Sequence, residues 1–276
     1  MLVRDRLQAR LRDVGPDADY VQLAADVLGI RGAPPALARR LVEQALVVED
    51  RESAWRAAGA RITAAAPAAP GVYVFRDRAG EVLYVGKAVD LRRRLRAHFA
   101  PSRWKRLPAD MARITDAEWT LVGNELVALL REAEAIATLS PRVNTQVGPP
   151  RQRERTVPPA LLRDVIVVVP AADADSADLV CARPDGSWLV QASRRDGSDL
   201  AVHARRISAF FRGGATNRRP AADDPRLAPL VYSWLAARGR SATRLDPHGA
   251  PVSALRERLA SLLRDERLFL DRIEQR

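Results

Sequence analysis

Lys87 is one of only two lysines in a chain whose Lys and Arg together number 45, the other being Lys105. It closes the stretch GVYVFRDRAGEVLYVGK (71–87), which also carries Tyr73 and Tyr84, two of the four tyrosines present. An ammonium is a compact point charge whose pKa responds to its surroundings, whereas guanidinium is a broad fork that stays charged. A lysine kept where arginine is the rule is therefore a candidate for chemistry. Arg92, Arg93, Arg94 and Arg96 follow at once, then Arg103, Lys105 and Arg106, and from Lys87 to Arg113 nine Lys/Arg face only two Asp. Such a stripe suits a polyanionic backbone, although a run of arginines is equally what a solvated helix face looks like. His98, His203 and His248 are scattered without metal-ligand spacing and receive no role.

The elements that must position these residues are legible from periodicity. GVYVFRD and EVLYVGK are rich in β-formers, and the polar RAG between them suits a hairpin turn. AVDLRRRLRAHF follows with helical spacing and Asp90 as its cap, AEWTLVG (117–123) reads as a third strand, and NELVALLREAEAIATLS (124–140) as a helix from an Asn cap to Pro141. The order β-β-α-β-α predicts an α+β unit, a small mainly antiparallel three-stranded sheet flanked by helices.

Two further regions frame this unit. Residues 1–66 read as helices, with Gly32 and Pro34–Pro35 separating DYVQLAADVLGI from PPALARRLVEQALVV, either a helix-turn-helix or a small packed bundle. ITAAAPAAP (62–70) reads as a linker into a domain at 67–147, and GPPRQRERTVPP (148–159) as a second linker. Residues 160–276 read as a C-terminal α+β domain, with strands in DVIVVVP, ADLVCARPDGSWLVQAS and TRLD, and helices in LAVHARRISAFFR, DPRLAPLVYSWLAARG and the segment from Val252 onward.

Composition narrows the function classes. With 276 residues, 47% of them apolar, the chain can bury real cores, and no apolar run approaches the ~18 residues of a membrane span. The charged, amphipathic start MLVRDRLQARLRD is unlike a signal peptide, which makes the cytoplasm the expected compartment. The net charge of +11 favours a polyanionic partner, nucleic acid first, while the lack of a long apolar run points to no membrane partner. One cysteine, Cys181, argues against an internal disulfide, a cysteine zinc site and an iron–sulfur cluster.

Taken in order, GVY, YVGK, the helix arginine, the helix glutamate and PRVN resemble the GIY-YIG nuclease domain. The likeness is to the form at the N-terminus of the UvrC excinuclease subunit and in its shorter homologue Cho. Across about 75 residues the matching positions are Gly71, Tyr73, Tyr84, Gly86, Lys87, Arg94, Glu132 and Asn144. Glu132 is preferred over Glu125 and Glu134 because it lies twelve residues before Asn144, as in the UvrC pattern.

The resemblance implies a metal-dependent endonuclease that hydrolyses DNA phosphodiester bonds and nicks damaged duplex in nucleotide excision repair beside UvrA/UvrB-type proteins. One divalent ion, Mg²⁺ or Mn²⁺, would sit on Glu132 and act as Lewis acid. Arg94 would pair with the phosphate. Tyr73 would take a proton from water, with Lys87 as the cation that favours its phenolate and Tyr84 completing the relay. Asn144 is the closing residue of the motif, and Gly71 and Gly86 mark backbone turns or close approach. Val127 stands where the family often carries an acidic residue, one carboxylate fewer near the metal. Arg92, Arg93, Arg96, Arg103, Lys105 and Arg106 are expected to grip the backbone, and Trp104 either stacks on a base or packs on the sheet. The alternatives are a non-catalytic nucleic-acid-binding module, or a nuclease acting on branched DNA or RNA.

Overall fold

The structure, a computed structural model, describes residues 3–15, 18–147, 157–212, 227–238 and 242–270. Three helices come first: α1 (Val3–Val14), α2 (Tyr20–Leu28) and α3 (Pro35–Ala65). Asp19 caps α2 by accepting from the Val21 and Gln22 amides, and Gly29, at φ 71°, ends it in the left-handed conformation. Pro35 opens α3, where its missing N–H costs nothing. Leu7, Leu23, Ala24, Val27, Ala38 and Val42 form a small core of their own. The expected second helix is much longer than its apolar pattern, and the expected linker at 62–70 is helical through Ala65. The polar middle of α3 consists of good helix formers braced by ion pairs one turn apart, Arg39–Glu43 and Glu52–Arg56.

The first sheet contains β1 (Gly71–Asp77), β2 (Val82–Ala88) and β3 (Ile114–Leu121), antiparallel in the order β2-β1-β3. β3 starts three residues earlier than its sequence pattern suggests. The hairpin between β1 and β2 turns on Asp77, whose carboxylate accepts from the Ala79 and Glu81 amides at 2.9 Å, and on Gly80 at φ 81°. On one face Tyr73 and Phe75 pack with Ala58 and Ile62 of α3 and with Leu91 and Leu95 of α4 (Leu91–His98). On the other, Val72 and Val74 face α5 (Glu125–Leu139). A short helix, α6 (Arg142–Val147), returns the chain to β2.

The second sheet has β4 (Val165–Pro170), β5 (Ser176–Ala182), β6 (Trp188–Arg194) and the two-residue β7 (Arg244–Leu245), antiparallel in the order β6-β5-β4-β7. Its helices are α7 (Leu200–Phe211), α8 (Leu227–Arg238), α9 (Val252–Arg264) and α10 (Arg267–Leu270). β4 is apolar at every position because both of its faces are covered. Val165, Val167 and Val169 enter one core, and Ile166 and Val168 the other. The first core is shared between the sheets: Val122, Leu126, Val127 and Leu130 pack there with β4, β5 and α8. Gly123 lies so close to the second sheet that a Cβ would stand 2.1 Å from the Ala171 carbonyl oxygen, and Asn124 donates to the Pro170 carbonyl at 2.8 Å. The expected second linker falls partly at 148–156, outside the described residues, as do residues 213–226.

Candidate active site

The free edge of β2 is the centre of the site. Its outward-facing backbone groups find no strand partner, and two side chains take that place. Asn144 accepts from the Val85 N–H at 2.8 Å and donates to the Val85 carbonyl at 3.0 Å. Glu132, from α5, accepts from the Lys87 N–H at 3.1 Å. An edge that would otherwise invite another strand is thus closed by an amide and a carboxylate. The Asn144 amide pairs at both ends with one residue, so its place in the motif is to hold β2.

The two faces of β2 then bring different chemistry to this edge. Tyr73 lies opposite Gly86 on the α4 face, and Lys87, one residue on, lies opposite Val72 on the α5 face. A Cβ at Gly86 would come 2.6 Å from the Tyr73 hydroxyl oxygen, so glycine is required for that ring to lie across the strand. Gly71 is required similarly, since a Cβ there would approach the Leu91 side chain at 2.6 Å and the Thr120 carbonyl at 2.7 Å.

Tyr73 is fully buried. Arg94 Nε donates to its hydroxyl oxygen across 3.4 Å, and His98 Nε2 stands 2.7 Å from the same oxygen. Arg94 donates to the Tyr73 oxygen, and in the His98 tautomer protonated at Nδ1 the Tyr73 O–H donates to Nε2. Burial, together with the charges of Arg94 and Arg103, pushes His98 down to about 4, so the imidazole is neutral at physiological pH and fit to accept. Burial raises the Tyr73 phenol well above its ordinary value, Tyr84 adds to the rise, and Arg94 opposes it. Tyr84 is only half-buried, its ring 6.0 Å from that of Tyr73 and 5.8 Å from that of His98.

Lys87 does not meet Tyr73 as expected. Strand alternation sends its side chain to the α5 face, where its charge acts on Glu132, and the cation at the tyrosines is Arg94. Burial raises the Glu132 carboxyl above the usual carboxylate range, while the Lys87 charge, the Lys87 amide and Arg94 pull it back. Among the described residues no group of three or more His, Cys, Asp or Glu is placed to hold a metal ion. Glu132 offers a single carboxylate, with Oε1 engaged by an amide. That donor set fits a hard, oxygen-preferring cation such as Mg²⁺ that keeps most of its water and takes further oxygens from a phosphate. Val127 is remote from this chemistry, buried in the core shared with the second sheet.

The remaining basic residues spread over the surface. Arg92 Nε donates to the Ala66 carbonyl at 2.7 Å, tying α4 to the end of α3, and Arg93 and Arg96 are exposed. Arg103, Lys105 and Arg106 are exposed on the turn at 101–106, where Trp104 packs against Trp55 with ring centres 5.4 Å apart. His98 is the residue that sequence reasoning missed. The available signal was its spacing, since position 98 lies one helical turn after Arg94 and shares its face.

Residues 69–145 match the model of the UvrC-like GIY-YIG domain. The UvrABC system protein C of Desulforudis audaxviator is 44% identical over 78 residues, which cover 28% of this chain and 13% of the relative. That of Renibacterium salmoninarum is 47% identical over 81 residues, 28% of this chain and 12% of the relative. The matched segment therefore spans only about an eighth of the length of these curated relatives. Among solved structures, the magnesium-bound GIY-YIG N-terminal endonuclease domain of UvrC from Thermotoga maritima is 32% identical, covering 31% of this chain and 94% of that one, with a TM-score of 0.27. The second sheet and its helices lie outside residues 69–145. The segment from residue 69 to residue 145, with Tyr73, Tyr84, Lys87, Arg94, Glu132 and Asn144 on its strands and helices, is a UvrC-like GIY-YIG domain.

Proposed function

We propose that the chain is a metal-dependent endonuclease that hydrolyses DNA phosphodiester bonds and nicks damaged duplex in nucleotide excision repair, in concert with UvrA/UvrB-type proteins. The observation that carries this reading is the juxtaposition, at one strand edge, of a Glu132 carboxylate and an Arg94–Tyr73–His98 cluster. A binding module has little reason to keep Tyr73, Tyr84, Lys87, Arg94 and Glu132 together.

A divalent cation on Glu132 would supply Lewis-acid polarisation of the phosphoryl and leaving oxygens. Arg94 would pair with the phosphate, and its charge opposes the burial-driven rise at Tyr73. The buried Tyr73 hydroxyl is closed to water, so removal of the proton from the attacking water falls to Tyr84 Oη, the half-exposed phenol. Tyr73, held by His98 and Arg94, fixes Tyr84 and the guanidinium in place. Lys87 stabilises the ionised form of Glu132.

A nicking assay tests this directly. Wild type, Tyr84→Phe and Glu132→Gln are incubated with supercoiled plasmid, UV-irradiated or not, in Mg²⁺, Mn²⁺ or EDTA. Metal-dependent nicking by wild type, lost in both variants while DNA binding persists, is the expected result. Preference for irradiated plasmid, or nicking gained only with UvrA and UvrB on a lesion-bearing duplex, supports the repair assignment. DNA binding without any cutting, even with those proteins present, would sink the enzyme reading in favour of a binding module.

A further inference from the structure

Helix α4 presents two basic faces. Arg94 and His98, one turn apart, point to Tyr73, whereas Arg92 and Arg96, also one turn apart, point to the side where α3 lies. Between α4 and the last turns of α3 runs an open groove of about 620 Å³, flanked by Arg56, Arg92 and Arg96. Its α3 wall is made of small residues, Gly59, Ala60 and Ala64, which leave room for an occupant. Gly59 is forced to be small, since a Cβ there would stand 2.5 Å from the Phe99 ring. No carboxylate lines the groove among the described residues, and Arg56 is ion-paired with Glu52, one turn earlier on α3.

We propose that this groove carries the sugar–phosphate backbone of the DNA strand on which Arg94 acts, so that α3, outside the GIY-YIG domain, is part of the nucleic-acid interface. The proposal rests on the nuclease reading for its substrate. Charge complementarity identifies the occupant. No carboxylate is among the described lining residues, Arg92 and Arg96 bring two guanidinium groups, and Arg56, paired with Glu52, brings a third that a phosphate can share. Such a set favours a row of phosphates. Continuity supplies the path. The eight residues of α4 run about 12 Å, over which one DNA strand presents roughly three phosphates, so a strand engaged at Arg94 has neighbouring phosphates within reach of Arg92 and Arg96. Arg96 has no hydrogen bond or ion pair of its side chain among the described residues, and Arg56 faces it from α3.

The test uses the full chain with a fluorescein-labelled duplex, read by anisotropy over a salt series. The variants are Arg56→Ala, Arg56→Lys, Ala60→Glu and, as a charge-matched control on the exposed face of α7, Arg205→Ala, each checked by circular dichroism. Arg56→Ala is expected to weaken binding about 3- to 10-fold and to make the log K against log salt slope shallower by roughly one, with Arg56→Lys recovering most of both. Ala60→Glu, which narrows the groove and adds negative charge, is expected to weaken binding about tenfold, and Arg205→Ala to change neither quantity. If wild type binds but Arg56→Ala and Ala60→Glu leave affinity and slope untouched, or Arg205→Ala matches them, the groove is not the path and the nuclease reading stands. A wild type that neither binds nor nicks DNA removes both.

Discussion

The two sheets solve the same problem differently. Each has a strand whose outer edge needs partners, β2 in the first and β4 in the second. At β4 the gap is filled by main chain: β7 pairs with Ile166 and Val167, and Val168 donates to the Thr243 carbonyl at 3.0 Å. At β2 it is filled by the side chains of Glu132 and Asn144. A main-chain seal leaves no charge behind, and the groups buried around β4 are almost all aliphatic. A side-chain seal leaves a carboxylate with a spare oxygen at the strand edge, beside Lys87 and Arg94. Stability alone is served by either device, and only the second leaves something to react with.

The largest expected effect tests the chemical half of that contrast. Glu132→Gln keeps an acceptor for the Lys87 amide but removes the charge, and is expected to fold normally and to lose nicking by about 10³-fold or more. A variant that nicks at half the wild-type rate would show the carboxylate to be a seal and nothing else. Next, His98→Ala leaves the buried Tyr73 hydroxyl without its acceptor, lowering single-turnover nicking about 10²-fold, and His98→Gln should recover part of that loss. Unchanged rates in both would make His98 a packing residue.

The structural half is probed at the junction of the two sheets. Gly123→Ala drives a methyl into the Ala171 carbonyl and is expected to cost about 2–3 kcal/mol, read as a lowered urea midpoint. The smallest effect concerns Asp178, the buried carboxyl of β5, which desolvation pushes up to about 6 despite the charge of Arg131. Its folded pKa exceeds the unfolded value of about 3.9, so between these the folded state holds the extra proton and stability falls as pH rises through about 6. Asp178→Asn should therefore stabilise the protein at pH 8 by about 1–2 kcal/mol and flatten the dependence between pH 4 and 6. A destabilised variant would show that the ionised carboxylate is needed by Arg131.

Much of the first sheet was legible because its signals are local. The hairpin, the Asp90 and Asn124 caps and the β-β-α-β-α order follow from period, turn and cap residues that act over a few positions. The motif spacing also singled out Glu132 and Asn144. What escaped depends on direction rather than type. Lys87 and Tyr73 belong to one short stretch, yet the hairpin register pairs Lys87 with Val72 and Tyr73 with Gly86, which puts their side chains on opposite faces, and proximity in sequence misled. His98 was overlooked because a lone histidine has no ligand spacing, though the helix period from Arg94 would have placed it. The full length of α3 was hidden by a charged middle that carries no apolar stripe, and the shared core at Val127 lay beyond any local pattern.

That shared core has a mechanical consequence. A cutting head on a flexible tether can swing, and its cut position is then set by reach and chance. Here the turn after β3 and the first turns of α5 are packed into the second sheet through Gly123, Leu126, Val127 and Leu130. Glu132, on the same helix as Leu126, Val127 and Leu130, is therefore tied to the second sheet by side-chain packing. Under the proposed reading, shifting Glu132 relative to the second sheet would mean repacking a hydrophobic core, which lengthening a loop would not achieve.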